Sequence, residues 1–382
     1  MTDIYLIRHA EAEGNLYRFV QGHYNSEVTG KGLLQIHALS DRFKDIHVDA
    51  LYSSDLKRTL LTSTAISVSH GLEPVIMPEL REINLGICEG ISFGDMTHMD
   101  PQQMYYFNND PDKWRAEGAE TFAECTERVY KAISAIAAKH DGQTVAVVSH
   151  GMAIRSFLAK VAGISSEDIR SMPHGDNTAV SFLHYENGNF SIEYYNDNSH
   201  LPETLSTFAG QKWWRKDTDG KDDANLRYEP LDPYEDYELY SACYEDSWRA
   251  AHGNTRGFSP EPYVLSAMDH HDIDEKSLVC VLRGEDEFIG LLELDPEKGK
   301  GAGYGWISLL YLRPDCRGKG LGVQPLGYAV IYYQMQGRKS VRLNVSSENI
   351  RAVGFYEHYG FEIIGKEPGS GAPLYLMEKK IR

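Results

Sequence analysis

Cysteine is scarce in this chain: five among 382 residues, scattered and odd in number. Such spacing offers neither a metal-ligand pattern nor a disulfide framework, and it fits a reducing compartment. Long hydrophobic runs are also missing. No stretch approaches the ~20 apolar residues that cross a bilayer, and the opening MTDIYLIRHAEAE turns polar after one short apolar run, unlike a secretory leader. Positive charge is in deficit, with 38 Lys and Arg against 56 Asp and Glu, a net charge of -18. That argues against non-specific binding to nucleic acid or anionic membrane. What is present, 42% hydrophobic and 25% charged residues, is the composition of a soluble globular protein. The expectation is a cytoplasmic enzyme that works without nucleic acid, membrane or metal.

The length favours two domains. In residues 1–206, IYLI, ALYS, TVAVVSH and VSFLHY read as strands, while GKGLLQIHALSDRF and TFAECTERVYKAISAIAAKH carry helical periodicity. Thr121 and Glu124 have the spacing of a capping box. This alternation predicts an α/β fold with a largely parallel sheet flanked by helices. QKWWRKDTDGKDDANLRYEP is polar and aperiodic, so a linker is placed over 207–226. In 227–382 an acidic helical pair (about 233–252 and 260–272) precedes the strands SLVCVLR, FIGLLEL and GWISLLYLRP, then a helix and further strands. That order predicts an α+β domain with a mixed sheet.

In open α/β sheets ligands gather at the carboxyl ends of the strands. His9 closes one predicted strand. His150 closes another, where Gly151 is expected to permit a sharp turn. Arg58 falls in the first turn of a helix after a third strand, and Arg8 and Glu82 are further members of the set. Guanidinium forks neutralise and orient phosphoryl oxygens, and a neutral imidazole can attack phosphorus near neutral pH. Arg8 and Arg58 would disfavour the imidazolium form of His9.

With RHAEAEGN, QGHYNSEVTGKG, SSDLKRTLLTS, LREINLGICEG, VVSHG and NDNSHL in order, the first 205 or so residues resemble the histidine phosphatase, or phosphoglycerate mutase-like, superfamily. The resemblance implies a covalent phosphohistidine on His9, with Arg8, Arg58 and His150 holding the phosphoryl oxygens. It implies Glu82 as proton donor, and Asn15 and Gln21 as residues lining the pocket. Where relatives often read RHG-x-T, this chain has Ala10 and Ala12. The short LREINLGICEG segment looks like a phosphatase rather than a mutase, with a small phosphorylated metabolite as substrate. A protein phosphohistidine is the alternative. Tyr105, Tyr106, Phe107 and Trp114 either contact the substrate or pack a helical cap; packing is the expectation.

Near the other end, Gly318, Gly320 and Gly322 lie between an apolar strand and a helix. Such a turn can aim successive N–H groups, with a helix N-terminus, at a pyrophosphate. RGKGLG followed by Asn349, Ala352, Phe355-Tyr356 and Gly360-Phe361 resembles the GNAT N-acetyltransferases, over roughly 225–382. The resemblance implies acetyl-CoA held by the backbone of Arg317, Gly318, Lys319, Gly320, Leu321 and Gly322, with Asn349 contacting it. Leu310 and Leu312 would lie on the strand that orients its arm, and Tyr356 would protonate the departing thiolate. Glu293 is the one candidate base, weighed against an exposed strand carboxylate. The acidic DPYEDYELYSACYEDSW either attracts a cationic amine acceptor or is a solvated helix face, the latter being favoured. The combined expectation is a phosphatase fused to an amine N-acetyltransferase. Its alternative replaces the transferase with a non-catalytic CoA-binding sensor.

Overall fold

The computed structural model describes residues 1–210, 225–284, 286–369 and 372–381. The chain forms two compact units. The first comprises Met1–Ile91 and the described residues from Met96 to Gly210; the second comprises Ser92–Asp95 and those from Asn225 onward. Of the expected linker, 211–224 lie outside the described residues. Thr207–Gly210 is a helical turn, and Leu226 opens a strand.

Six strands build the first unit's sheet: β1 (Thr2–Arg8), β2 (Ala50–Ser53), β3 (Val75–Ile76), β4 (Thr144–Ser149), β5 (Val180–Glu186) and β6 (Asn189–Asp197), in the order β3-β2-β4-β1-β5-β6. The first four of that order run parallel, and β5 and β6 add an antiparallel edge. Ile4, Leu6 and Ile7 of β1 and Val145–Val148 of β4 are fully buried, as central strands covered on both faces must be. Leu39 and Phe43 of the helix Gly30–Phe43 and Ile66 of the helix Lys57–His70 complete one side of this core. The capping box forms as expected: Thr121 Oγ1 accepts the Glu124 N–H at 3.2 Å and Glu124 Oε2 accepts that of Thr121 at 2.8 Å, opening the helix Phe122–Lys139. The register matters most for function. β1 and β4 pair with Arg8 opposite Ser149, so the next residues, His9 and His150, leave the sheet side by side.

The second unit holds a seven-stranded mixed sheet: β7 (Leu226–Pro230), β8 (Leu278–Arg283), β9 (Glu287–Asp295), β10 (Tyr304–Leu312), β11 (Ser340–Ser346), β12 (Glu362–Glu367) and β13 (Leu374–Lys380), in the order β12-β13-β11-β10-β9-β8-β7. The predicted helical pair is Tyr237–His252 and Glu261–Ile273, packed over a core that includes Leu291, Leu309 and Tyr311. Among the described residues of this unit, only β10 and β11 pair in parallel, and that pairing ends at Ile307 opposite Leu343. There the β9–β10 register also slips, between Ile307 and Leu309, the mark of a bulge that bends a strand. β10 therefore runs on to Leu312 with one edge released from β11.

Candidate active sites

His9 is fixed by its backbone before its ring is considered. Its N–H donates to Ser149 O at 3.0 Å, and its carbonyl accepts from Asn177 Nδ2 at 2.9 Å. The ring Nδ1 lies 2.7 Å from Ala10 O. A carbonyl only accepts, so Nδ1 carries the proton and the lone pair sits on Nε2. Burial first, then the Arg58 and Arg8 guanidiniums, hold the His9 pKa well below 6.5. The ring is a neutral imidazole with its lone pair on Nε2.

His150 takes the opposite tautomer. Arg58 Nε donates to its Nδ1 at 3.2 Å, so its Nε2–H faces Ser54 Oγ at 2.9 Å. The His9 and His150 ring centroids are 5.3 Å apart. Burial, then Arg58 and His9, keep His150 neutral too. Arg58 itself is fully buried at the start of the helix Lys57–His70. Its remaining nitrogens donate to Tyr24 O (2.9 Å), Gly22 O (2.7 Å) and Gln21 O (3.3 Å). Burial lowers its pKa to about 10, which leaves it charged at neutral pH. The loop supplying those carbonyls is tied down by Glu89, whose carboxylate accepts the N–H groups of Gly22, His23 and Tyr24 at 2.8–3.0 Å.

Arg8 donates from Nη1 to Gly175 O at 2.6 Å. Its Nε is buried with no hydrogen-bond partner among the described residues. An orphaned guanidinium N–H beside a neutral imidazole is a donor suited to an anion. Gly151 serves this group in an unexpected way. It begins a regular helix, Gly151–Val161, with no positive φ, so no sharp turn requires it. Instead a Cβ there would lie 3.2 Å from Arg8 Nε. Close approach is the reason for the glycine.

Glu82 sits on the same helix end. Its Oε2 accepts from Met152 N (2.9 Å) and its Oε1 from Ala153 N (2.8 Å), so the first helical turn fixes the carboxylate. Asn15 and Gln21 are more occupied than the resemblance implies. Asn15 Oδ1 accepts from Ala12 N at 3.1 Å within its own helical turn, and Gln21 Oε1 accepts from Ser26 Oγ at 2.5 Å. Trp114 is 1% exposed and packs edge-on against Phe107 and Phe122, a core role as expected, while Tyr105 lies 58% exposed.

Sequence reasoning missed Ser54, Glu89 and the turn Asp176-Asn177-Thr178. Thr178 has φ 59, an uncommon conformation for a β-branched residue. It lies in the turn that aims Asn177 at the His9 carbonyl. The GDN triplet just before a strand was the available signal.

In the second unit, Gly318 and Gly320 both have φ 77, which lets the loop after β10 reverse twice before the helix Val323–Met335. A Cβ on Gly322 would lie 3.2 Å from the Phe355 ring. Lys319 is exposed and Leu321 buried. Leu310 and Leu312 fall on the released part of β10. The Arg317 side chain turns away from the loop. Its Nε donates to Leu312 O at 2.7 Å and its Nη2 to Asp246 at 2.5 Å. Asn349 caps the helix Ile350–His358 through Oδ1 and the Ala352 N–H, 3.1 Å. Tyr356 is buried, which pushes its phenol pKa up and keeps the proton on. The double reversal and the released strand edge fit an extended acyl-CoA.

Glu293, weighed as a base against an exposed strand carboxylate, is buried, 1% exposed, accepting from Tyr240 Oη at 2.7 Å and from His270 Nδ1 at 2.8 Å. The continuous apolar run around it gave no sign which face was covered. Two acidic residues of the predicted acidic segment are paired, Glu245 with Arg249 one helical turn on and Asp246 with Arg317, which lies 71 residues further along the chain. Among the described residues, no group of three His, Cys, Asp or Glu could hold a metal ion, and no helix is long and apolar enough to cross a membrane.

Paired imidazoles and guanidiniums at the carboxyl ends of parallel strands define, as a class, an α/β enzyme that handles phosphoryl groups. The chain belongs to the histidine phosphatase superfamily (branch 1), matched over residues 4–198, and carries an acetyltransferase (GNAT) family domain matched over 237–361. Similar proteins include phosphoserine phosphatase 1 of Hydrogenobacter thermophilus, 30% identical over 203 residues, which are 53% of this chain and 96% of that protein. The metal-independent phosphoserine phosphatase of Arabidopsis thaliana is 30% identical over 204 residues, 53% of this chain and 84% of that one. Among solved structures, Bacillus stearothermophilus YhfR is 28% identical with a TM-score of 0.51, covering 53% of this chain and all of its own.

Proposed function

We propose that the first unit hydrolyses a small phosphomonoester through a phosphohistidine on His9. The observation that carries this reading is the His9 ring: Nδ1 bound to Ala10 O, Nε2 carrying the lone pair, and a pKa lowered by burial and two guanidiniums. Nε2 attacks phosphorus as the ester oxygen departs. Arg8, Arg58 and His150 hold the equatorial oxygens and offset the charge of the transition state. Glu82, held on the helix end beside Arg8, gives a proton to the leaving alkoxide and later takes one from the water that releases phosphate. Two similar proteins are named phosphoserine phosphatases, so phosphoserine and other short phosphorylated acids head the substrate panel. Phosphate release that persists in His9→Ala would overturn this reading.

In the second unit we propose acetyl transfer from acetyl-CoA to an amine. Acetyl-CoA supplies the acyl group. The N–H groups of 317–322 hold its pyrophosphate, the released edge of β10 aligns its arm, and the Tyr356 phenol keeps a proton for the departing thiolate. A CoA-binding sensor is the second reading, favoured by one observation: both oxygens of Glu293, the one carboxylate considered as base, are already paired. Thiol release from acetyl-CoA with an amine panel supports transfer. Binding without release supports the sensor.

A further inference from the structure

Three buried polar side chains in the first unit, Glu11, Gln35 and Asp176, have no part in the chemistry above; they are 2%, 0% and 3% exposed. All three converge on one short stretch, Leu205–Phe208. Gln35 Nε2 donates to Leu205 O at 2.8 Å. Asp176 accepts from Ser206 Oγ at 2.6 Å and from Thr207 N at 3.2 Å. Glu11 Oε2 accepts from Thr207 Oγ1 at 3.0 Å. Burying carboxylates is costly unless they are fully bonded, and here two of them are used to seat a stretch near the end of the unit. Both also sit beside the reacting groups. Glu11 is two residues from His9, and Asp176 follows Gly175, whose carbonyl holds Arg8. What the stretch delivers is the Phe208 ring, with its centroid 5.8 Å from Arg8 Cζ, within cation–π reach.

We propose that Leu205–Phe208 is a positioning strap of the phosphatase site, anchored by Glu11, Gln35 and Asp176 so that Phe208 lies against the Arg8 guanidinium. With Gly175 O binding Nη1 and Gly151 close behind Nε, the ring fixes the remaining direction in which the fork can swing. Arg8 then meets an incoming phosphoryl group with its Nε–H already aimed. Phe208 acts through Arg8, and the effect belongs to binding of the phosphoryl oxygens.

The inference rests on Arg8 as phosphoryl anchor, so the test separates the two. In the whole 382-residue chain, hydrolysis of p-nitrophenyl phosphate is measured with orthovanadate as inhibitor. Phe208→Leu, which keeps an apolar side chain but removes the ring face, is expected to raise the vanadate Ki and the KM roughly three- to five-fold, with kcat changed less than about two-fold. Phe208→Tyr is expected to restore both. Thr207→Val, which releases the Glu11 anchor, shifts the same constants in the same direction by less. A Phe208→Leu enzyme with wild-type Ki and KM overturns the strap. So does equal impairment of Leu and Tyr variants that tracks a lowered unfolding midpoint, since that is packing alone. If Arg8→Ala leaves vanadate inhibition intact, the anchor reading itself fails; if Arg8→Ala abolishes it while Phe208→Leu does not change it, only the strap fails.

Discussion

His9 and His270 are buried to a similar depth, 3% and 7% exposed, yet they carry different charges. Burial lowers the pKa of both. Around His9 the next contributions come from Arg58 and Arg8, which push it further down. Around His270, hydrogen bonds to Asp295 and Glu293, at 3.3 and 2.8 Å, overrule burial and raise the pKa to about 9. The same salt bridge brings Asp295 down to about 2 against its own burial. The sign of the neighbours decides the charge once water has been removed. One histidine is held neutral, with Nδ1 bound to Ala10 O and the lone pair on Nε2, as the proposed nucleophile requires. The other, with both ring nitrogens bound, becomes a cationic clamp between the helix Glu261–Ile273 and β9.

The largest expected break in this comparison is His9→Ala, which should lower phosphate release by ~10³-fold or more. Release is measured with the phosphorylated-metabolite panel. In the proposed acetyl transfer, Tyr356→Phe would remove the phenol proton assigned to the departing thiolate. It should slow CoA release by ~10²-fold with acetyl-CoA binding retained, as isothermal titration would read.

His270→Leu leaves Glu293 and Asp295 facing an apolar side chain and should cost the second unit about 3 kcal/mol in denaturant unfolding, with phosphate release unaffected. The pH dependence sharpens the contrast because the two signs are opposite. His270 binds its proton more tightly folded than unfolded, so its contribution is complete below 6.5 and is lost as pH rises through about 9. His9 and His150 are neutral when folded but take protons when unfolded. Their contribution is therefore present above 6.5 and lost as pH falls below it. Unfolding followed by a probe in each unit should show the first weakening in acid and the second in base.

The smallest effect is Gly151→Ala. A Cβ 3.2 Å from Arg8 Nε must displace the guanidinium by a few tenths of an ångström. A KM increase of roughly three-fold, with kcat nearly unchanged, is the expected reading.

Much of the architecture was legible because its signals are local. Short apolar runs ending in polar residues marked the carboxyl ends of β1 and β4, and the Thr121–Glu124 spacing marked a helix start. Parallel pairing of those strands then brings His9 and His150 together, with no further information needed. What was not legible depends on partners distant in sequence. Three of the five N–H donors of Arg58 go to carbonyls 34 to 37 residues away, and Arg8 is braced by Gly175. Backbone acceptors leave no trace in residue type. Gly151 showed only that a small residue was needed, and turning and close approach read alike until Arg8 was placed. Glu293 failed for a related reason. A strand reading FIGLLELD is apolar on both faces, so its lone Glu resembles a surface residue, whereas the His270 that buries it lies 23 residues earlier.

The central claim is the phosphorylated nitrogen of His9, and its most direct test is rapid-quench trapping with a radiolabelled phosphomonoester that the enzyme turns over, followed by peptide mapping. The account predicts an acid-labile, base-stable phosphoryl group on His9 that forms within one turnover and is absent from His9→Ala. Label on another residue, or turnover with no phosphoenzyme at any quench time, would contradict it.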